Sequence, residues 1–246
     1  MPTPSTSVPV MDSVISYELR DRVAVITMDD GKANAISLAL ATDLLAALHR
    51  ARAEASAVVL AGRPGRFSAG FDLAAMTSSD EAARELLGIG FEIATEIHLF
   101  PAPVVLASTG HALAMGAILL LAADVRIGAA GAYKIGLNEV AIGMPVPQLA
   151  VELARRTLDN RAFNSSITLA TVHDPEAALV AGFYDLVVAD DAVVDTAVAR
   201  AAQLAETLHP GAFVTTRATV RGGYASLMRG EWIADLATFT VAKPDA

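Results

Sequence analysis

The chain of 246 residues contains no cysteine, so disulfides, thiolate metal ligands and cysteine nucleophiles are excluded. Its five histidines (His49, His98, His111, His173 and His209) show no close ligand spacing, and no metal site is expected. Basic residues are few: 18 Lys and Arg stand against 27 Asp and Glu, giving a net charge of −9, and they form no block. Nucleic acid is therefore not an expected partner. A small anionic ligand held by backbone amides and a few basic side chains is still compatible with that charge. The opening MPTPSTSVPV lacks the basic start and long apolar core of a secretory signal, and residues 1–12 read as a flexible tail. The one long apolar stretch, residues 103–123, is interrupted by Ser108-Thr109-Gly110-His111. What remains is too short for the ~20 residues a bilayer crossing requires. No membrane partner is expected, and the reading is a soluble, cytoplasmic protein.

What the sequence does hold is hydrophobic mass. Apolar residues make up 54% of it, enough for one large core, or for a domain with a small appendage. No repeat of fixed period is visible. Residues 14–20 and 22–28 form two β-rich runs that meet at Asp21-Arg22 as a hairpin. Ser37 is a plausible N-cap for a helix with Leu40, Leu44, Leu48 and Ala51 on one face. The run AVVLA at 57–61 reads as a strand covered on both sides, and the order strand, helix, strand predicts a mainly parallel region.

A glycine-rich segment at 62–73 follows that strand, where ligands tend to bind. Ser78-Ser79-Asp80 then caps a long helix to about Phe100. A buried strand is expected at 104–107, an apolar helix over 110–124, and short strands at 125–127 and 133–135. A helix is expected from Pro147, another over 176–181 capped by Asp174-Pro175 and closed by Gly182, and a last strand over 183–188. Asp190-Asp191 is expected to cap a helix through Leu208, and residues 211–241 read as helix broken at Gly222-Gly223 and Gly230.

Two strand-end turns, residues 68–72 and 110–116, lead toward helical structure, and free amides at such places suit an oxyanion. Two converging amides would make an oxyanion hole. Downstream, IGLNEVAIG at 135–143 carries one carboxylate, Glu139, among Ile135, Leu137, Val140 and Ile142. That carboxylate either faces water or sits in a dry place where its proton affinity is raised. Asp72 is a helix cap or a part of the turn's shape. Arg63 and Arg66 meet an anionic ligand or only solvent, and Met76 and Met115 read as pocket or core filler.

The segment Phe67-Ser68-Ala69-Gly70-Phe71-Asp72-Leu73 resembles the FxAGxDL motif of the crotonase (enoyl-CoA hydratase/isomerase) superfamily. Lys32-Ala33-Asn34-Ala35 is similar to its (K/R)xNA segment, and residues 110–124 to its GxxxGGGxxLxxxxD element. The resemblance spans roughly residues 14–188. It implies an α/β crotonase (ClpP-like) fold of repeated ββα units, with two near-perpendicular sheets, surrounding helices and a C-terminal helical segment. The implied division is a core domain at 13–190 and a trimerisation segment at 191–246, in a homotrimer or a dimer of trimers.

The implied ligand is an acyl-CoA thioester, with coenzyme A as part of the substrate and no separate cofactor. Its enolate would be held by the amides of Phe71 and Met115. Lys32, Ala33 and Ala35 would line the adenine end. Ser68, Ala69, Asp72 and Leu73 would flank pantetheine and thioester, and Gly70, Gly116, Ile118 and Asn138 would complete the substrate-binding set.

Ala114 and Met115 depart from the motif's glycines, and a methionine there is expected to narrow the approach to the amide. Ile118 stands where hydratases of the superfamily carry the first of two glutamates, while Glu139 matches the second. Hydration usually calls for both carboxylates. Moving a double bond from C3 to C2 needs one group to carry a proton from C2 to C4. The IGLNE run and FSAGFDL are also similar to 3,2-enoyl-CoA isomerases. The resemblance thus implies an isomerase of fatty acid metabolism with Glu139 as sole acid/base and Asn138 orienting it. A lyase-type reaction (hydration), C–C hydrolysis, or CoA binding with little catalysis are the alternatives.

Overall fold

The computed structural model describes residues 14–222 and 236. The expected tail, and the expected helix beyond residue 222, lie outside them except for Leu236. The chain opens with an antiparallel hairpin of β1 (Ile15–Arg20) and β2 (Val23–Met28), in register Ile15 to Met28, turning at Asp21 with φ 53°. From β2 onward the same short plan runs four times: a strand in a large sheet, one or two strands in a small sheet, then helix. The first pass is β2, β3 (Ala35–Ile36) and α1 (Leu38–Glu54). The second is β4 (Ala57–Ala61), β5 (Gly65–Ser68), β6 (Gly70–Phe71), a short α2 (Leu73–Met76) and α3 (Asp80–His98). The third is β7 (Val104–Ser108), β8 (Gly110–Leu113) and α4 (Met115–Ala122). The fourth is β9 (Val125–Ala129), β10 (Ile135–Gly136), a 3-10 turn at Val140–Ile142 and α5 (Gln148–Thr157). After it come α6 (Asn160–Ile167), α7 (Pro175–Ala181), β11 (Leu186–Val188) and α8 (Val193–Thr207).

The large sheet has the order β1-β2-β4-β7-β9-β11, parallel from β2 on. Second strands of the passes pair among themselves, as β10-β8-β5 and as β3-β6. Both faces of the large sheet are covered, which is why its strands read as unbroken apolar runs. Val58 and Leu60 of β4 enter the main core with α1, α3 and α4, while Ala57, Val59 and Ala61 enter a second core under α8.

Local signals placed the helix starts well. The Ser37 hydroxyl accepts the Leu40 N–H at 3.2 Å, Ser79 caps α3 through Ala82 at 3.1 Å, and Asp174 caps α7 through Ala177 at 2.8 Å. The expected inward face of α1 is buried throughout.

Three expectations need correction. Residues 110–113 are a strand, because Gly110 and His111 pair with β5 in the small sheet before α4 begins. Asp190 and Asp191 form a 3-10 turn of their own, so the residue capping α8 is Ala192. The helix α6 escaped the sequence reading because its polar run NRAFNSSI has only Ser166 and Ile167 buried.

Asp124, at the end of α4, ties remote parts together. Its carboxylate accepts the Val104 N–H at 2.9 Å, bonds Arg221 at 2.9 Å and pairs closely with Arg217, both arginines lying on helical residues 210–222. Those arginines also donate to the carbonyls of Phe100 and His98 at the end of α3. Among the described residues no helix is long and apolar enough to cross a membrane.

Candidate active site

Parallel pairing sets three turns side by side. Gly136 of β10 pairs with Leu113 of β8, and Ala112 of β8 pairs with Ser68 of β5. The segments that follow these strands therefore emerge at one edge. The Ala114 N–H donates to the Gly136 carbonyl at 3.0 Å, fixing the β8–α4 turn to β10. Ala114 itself adopts φ 48° and ψ −120°, a conformation that disfavours any side chain and stores of the order of 1–3 kcal/mol of strain.

Met115 is the first residue of α4, so its N–H has no intrahelical acceptor. Just past β6 the Asp72 N–H donates to the Ile36 carbonyl at 3.1 Å. The two turns touch: a Cβ on Gly70 would lie 2.8 Å from Ala114 Cβ and 3.4 Å from the Met115 nitrogen. Only glycine fits there. Gly116 packs its backbone on Ser68 in the same way.

A cavity of about 510 Å³ opens at this edge. Ala69, Phe71, Leu73, Ala114, Ile118, Asn138 and Glu139 line it, joined by Met76, Leu87 and Phe91, by residues 142–148, and by Leu236. Glu139 is 6% exposed, and its Oε2 has no hydrogen-bond partner among the described residues. Its backbone is fixed by the following turn, its carbonyl accepting the N–H groups of Ile142 and Met144 at 3.0 and 2.9 Å. Burial raises the carboxyl from the usual 4.5 to about 7. The adjacent Asn138 Oδ1 is also buried and unpartnered among the described residues. Glu139 is the one ionisable side chain in the described lining.

Other expected site residues lie elsewhere. Ser68 is wholly buried, its hydroxyl donating to the Asn34 carbonyl at 2.8 Å and accepting the Gly70 N–H at 3.2 Å. Asp72 caps α2 through Ala74 at 2.9 Å. Lys32, Ala33 and Ala35 are outside the described cavity lining. Their loop is clasped by Asn34, at φ 51°, whose amide donates to the carbonyls of Met28, Arg66 and Phe67. Arg63 holds the same loop through the Lys32 carbonyl, and His111 accepts the Lys134 N–H at 3.0 Å.

The narrowing expected from Met115 does not occur, because its side chain is 0% exposed, packs in the main core and is absent from the cavity wall. The sequence reading missed most of the wall from residues 142–148. Gly143, Pro145 and Pro147 marked a loop there but not which way it folds.

Repeated strand–strand–helix passes with a buried carboxylate opposite two glycine turns define an enzyme of the crotonase fold. The chain belongs to the enoyl-CoA hydratase/isomerase family, whose model matches residues 18–226. A crystal structure of an enoyl-CoA hydratase/isomerase family protein from Pseudomonas syringae has TM-score 0.90 and 42% identity, covering 93% of this chain and 99% of that one. Human mitochondrial enoyl-CoA delta isomerase 1 is 30% identical over 226 residues, 88% of this chain and 73% of that protein. A probable enoyl-CoA hydratase of Rhodobacter capsulatus is 41% identical over 120 residues, 48% of this chain and 47% of that protein. The matched part of this chain thus spans about half of the latter relative, and the relatives' names divide between two reactions.

Proposed function

We propose that the protein moves the double bond of a 3-enoyl-CoA to the 2-position, with Glu139 as its single acid/base. The observation that carries this reading is the lone buried carboxylate in an otherwise non-ionisable cavity, with aliphatic Ile118 1% exposed in the same wall. The Glu139 carboxylate removes a proton from C2, and the electron pair moves onto the thioester oxygen as a dienolate. The amides of Phe71 and Met115 stabilise that oxygen. The same carboxyl returns the proton at C4 and the double bond settles between C2 and C3, so atoms and charge balance without a second catalytic carboxyl. A pKa near neutrality suits a group that must both take and give a proton. Asn138, beside it, orients the carboxyl or the thioester. The Lys32–Ala35 loop is assigned to the coenzyme end, outside the reacting cavity.

Incubation with 3-hexenoyl-CoA and with crotonyl-CoA, following both products, tests the reading. Formation of 2-hexenoyl-CoA with little hydration of crotonyl-CoA is expected. Hydration as the faster reaction would replace it with a hydratase, and acyl-CoA affinity without turnover would leave a binding protein.

A further inference from the structure

The side chains of Phe71 and Met115, the two residues assigned as amide donors, meet at one point behind the cavity. That point is Gly90, a buried glycine in the body of α3. A Cβ there would lie 2.4 Å from Cζ and 2.5 Å from Cε1 of the Phe71 ring, and 3.6 Å from the methyl of Met115. The absent side chain leaves a notch that these groups fill. Glycine in the middle of a 19-residue helix costs about 1 kcal/mol relative to alanine, so helix formation alone would favour another residue.

Gly88, two residues earlier on the same helix, behaves differently. A Cβ on it would meet its nearest neighbour, Leu236 Cδ1, at an ordinary 3.5 Å. The steric demand is thus specific to Gly90. The Phe71 backbone is held in β6, so the open space its ring can yield into is the cavity that Phe71 lines. Anything that fills the notch drives the ring toward the substrate, or rotates the backbone that carries the amide.

We propose that Gly90 is a positioning residue for the oxyanion site: its notch seats the Phe71 ring and the Met115 methyl, and thereby keeps the ring out of the cavity and the two amide-bearing turns in place. The notch also accounts for a methionine at position 115, where the resembling motif has glycine. Its side chain is accommodated by α3 instead of by the acyl pocket.

The proposal rests on the amide assignment made above, and its test separates the two. Gly90→Ala is compared with Gly88→Ala, Phe71→Leu and the double variant Gly90→Ala/Phe71→Leu, with thermal melting to show that each folds. With whichever acyl-CoA the wild type turns over, Gly90→Ala is expected to lower kcat at least tenfold with KM within about twofold. Gly88→Ala should match the wild type, and the double variant should recover most of the loss, because leucine leaves the far end of the ring's volume empty. Full activity in Gly90→Ala, or an equal loss in the double variant, overturns the proposal. A crystal structure of Gly90→Ala gives a readout independent of turnover: the Phe71 ring should move by about an ångström toward the cavity. A ring and a residue-71 amide that stay in place reject the notch even if the wild type proves inactive on every thioester. A displaced ring in an inactive protein rejects the enzymatic assignment and keeps the notch.

Discussion

Two carboxylates in this molecule are withdrawn from bulk water and could hardly be treated more differently. Asp124, with its side chain 16% exposed, is met by two arginines and a backbone amide. Glu139, 6% exposed, has an oxygen with no hydrogen-bond partner among the described residues. Paired charge holds pieces of chain in place, and it resists change because losing one partner strands the others. Unpaired charge in a dry wall keeps its proton affinity high and available, as proton transfer requires. The first carboxylate fastens helical residues 210–222 to the end of α3 and to β7, and the second faces the cavity.

The largest expected effect breaks the Glu139 side of this contrast. Glu139→Gln keeps the shape but not the proton transfer, and should lower turnover of 3-hexenoyl-CoA roughly 10³-fold. Acyl-CoA affinity, measured by calorimetry, should change little; unchanged turnover would remove Glu139 from the mechanism. On the other side, Asp124→Asn leaves Arg217 and Arg221 half-partnered and should destabilise the fold by about 3 kcal/mol in urea unfolding. A loss within measurement error would mean the clasp is ornamental.

The same contrast has a pH signature. The folded-state value of Glu139, about 7, lies above its ordinary 4.5, so the stability it contributes is fully present below pH 4.5 and lost as pH rises through 7. Glu139→Gln should therefore be more stable than wild type at pH 8, by up to about 3 kcal/mol, with little difference at pH 4. Thermal melts at the two pH values check this, and kcat/KM should fall with a single protonation below pH about 7. The smallest effect sharpens the role of the cavity wall. Ile118→Glu places a second acid in the cavity, and the acid limb of the pH profile should move up by about one unit through like-charge repulsion. An unmoved limb would place the two side chains too far apart to interact.

Much of the architecture was legible in local pattern. Hairpin, capped helices and apolar strands act over a few residues, and Ser37, Ser79, Asp174 and Gly182 stood where they were read. The glycine turns and the resembling motifs located the edge where the cavity lies. What misled was residue type taken for exposure or role. Ser68 sits in a motif yet braces a loop from within, and Met115 looked like an obstruction but turns its side chain into the core. The strand at 110–113 resembled the start of a helix, because its partner strand lies some 45 residues earlier and leaves no local mark.

The opening hairpin, the capped starts of α1, α3 and α7, the two glycine turns, the aliphatic residue at 118 and a single acid in the run 135–143 were determined by the sequence alone, since each depends only on neighbours along the chain. Tertiary structure decided that the acid is dry, that Gly90 makes room for Phe71 and Met115, and that Asp124 finds arginines 93 and 97 residues away. Burial and ion pairing are properties of surfaces brought together from distant parts of the chain, and only packing brings those surfaces into contact.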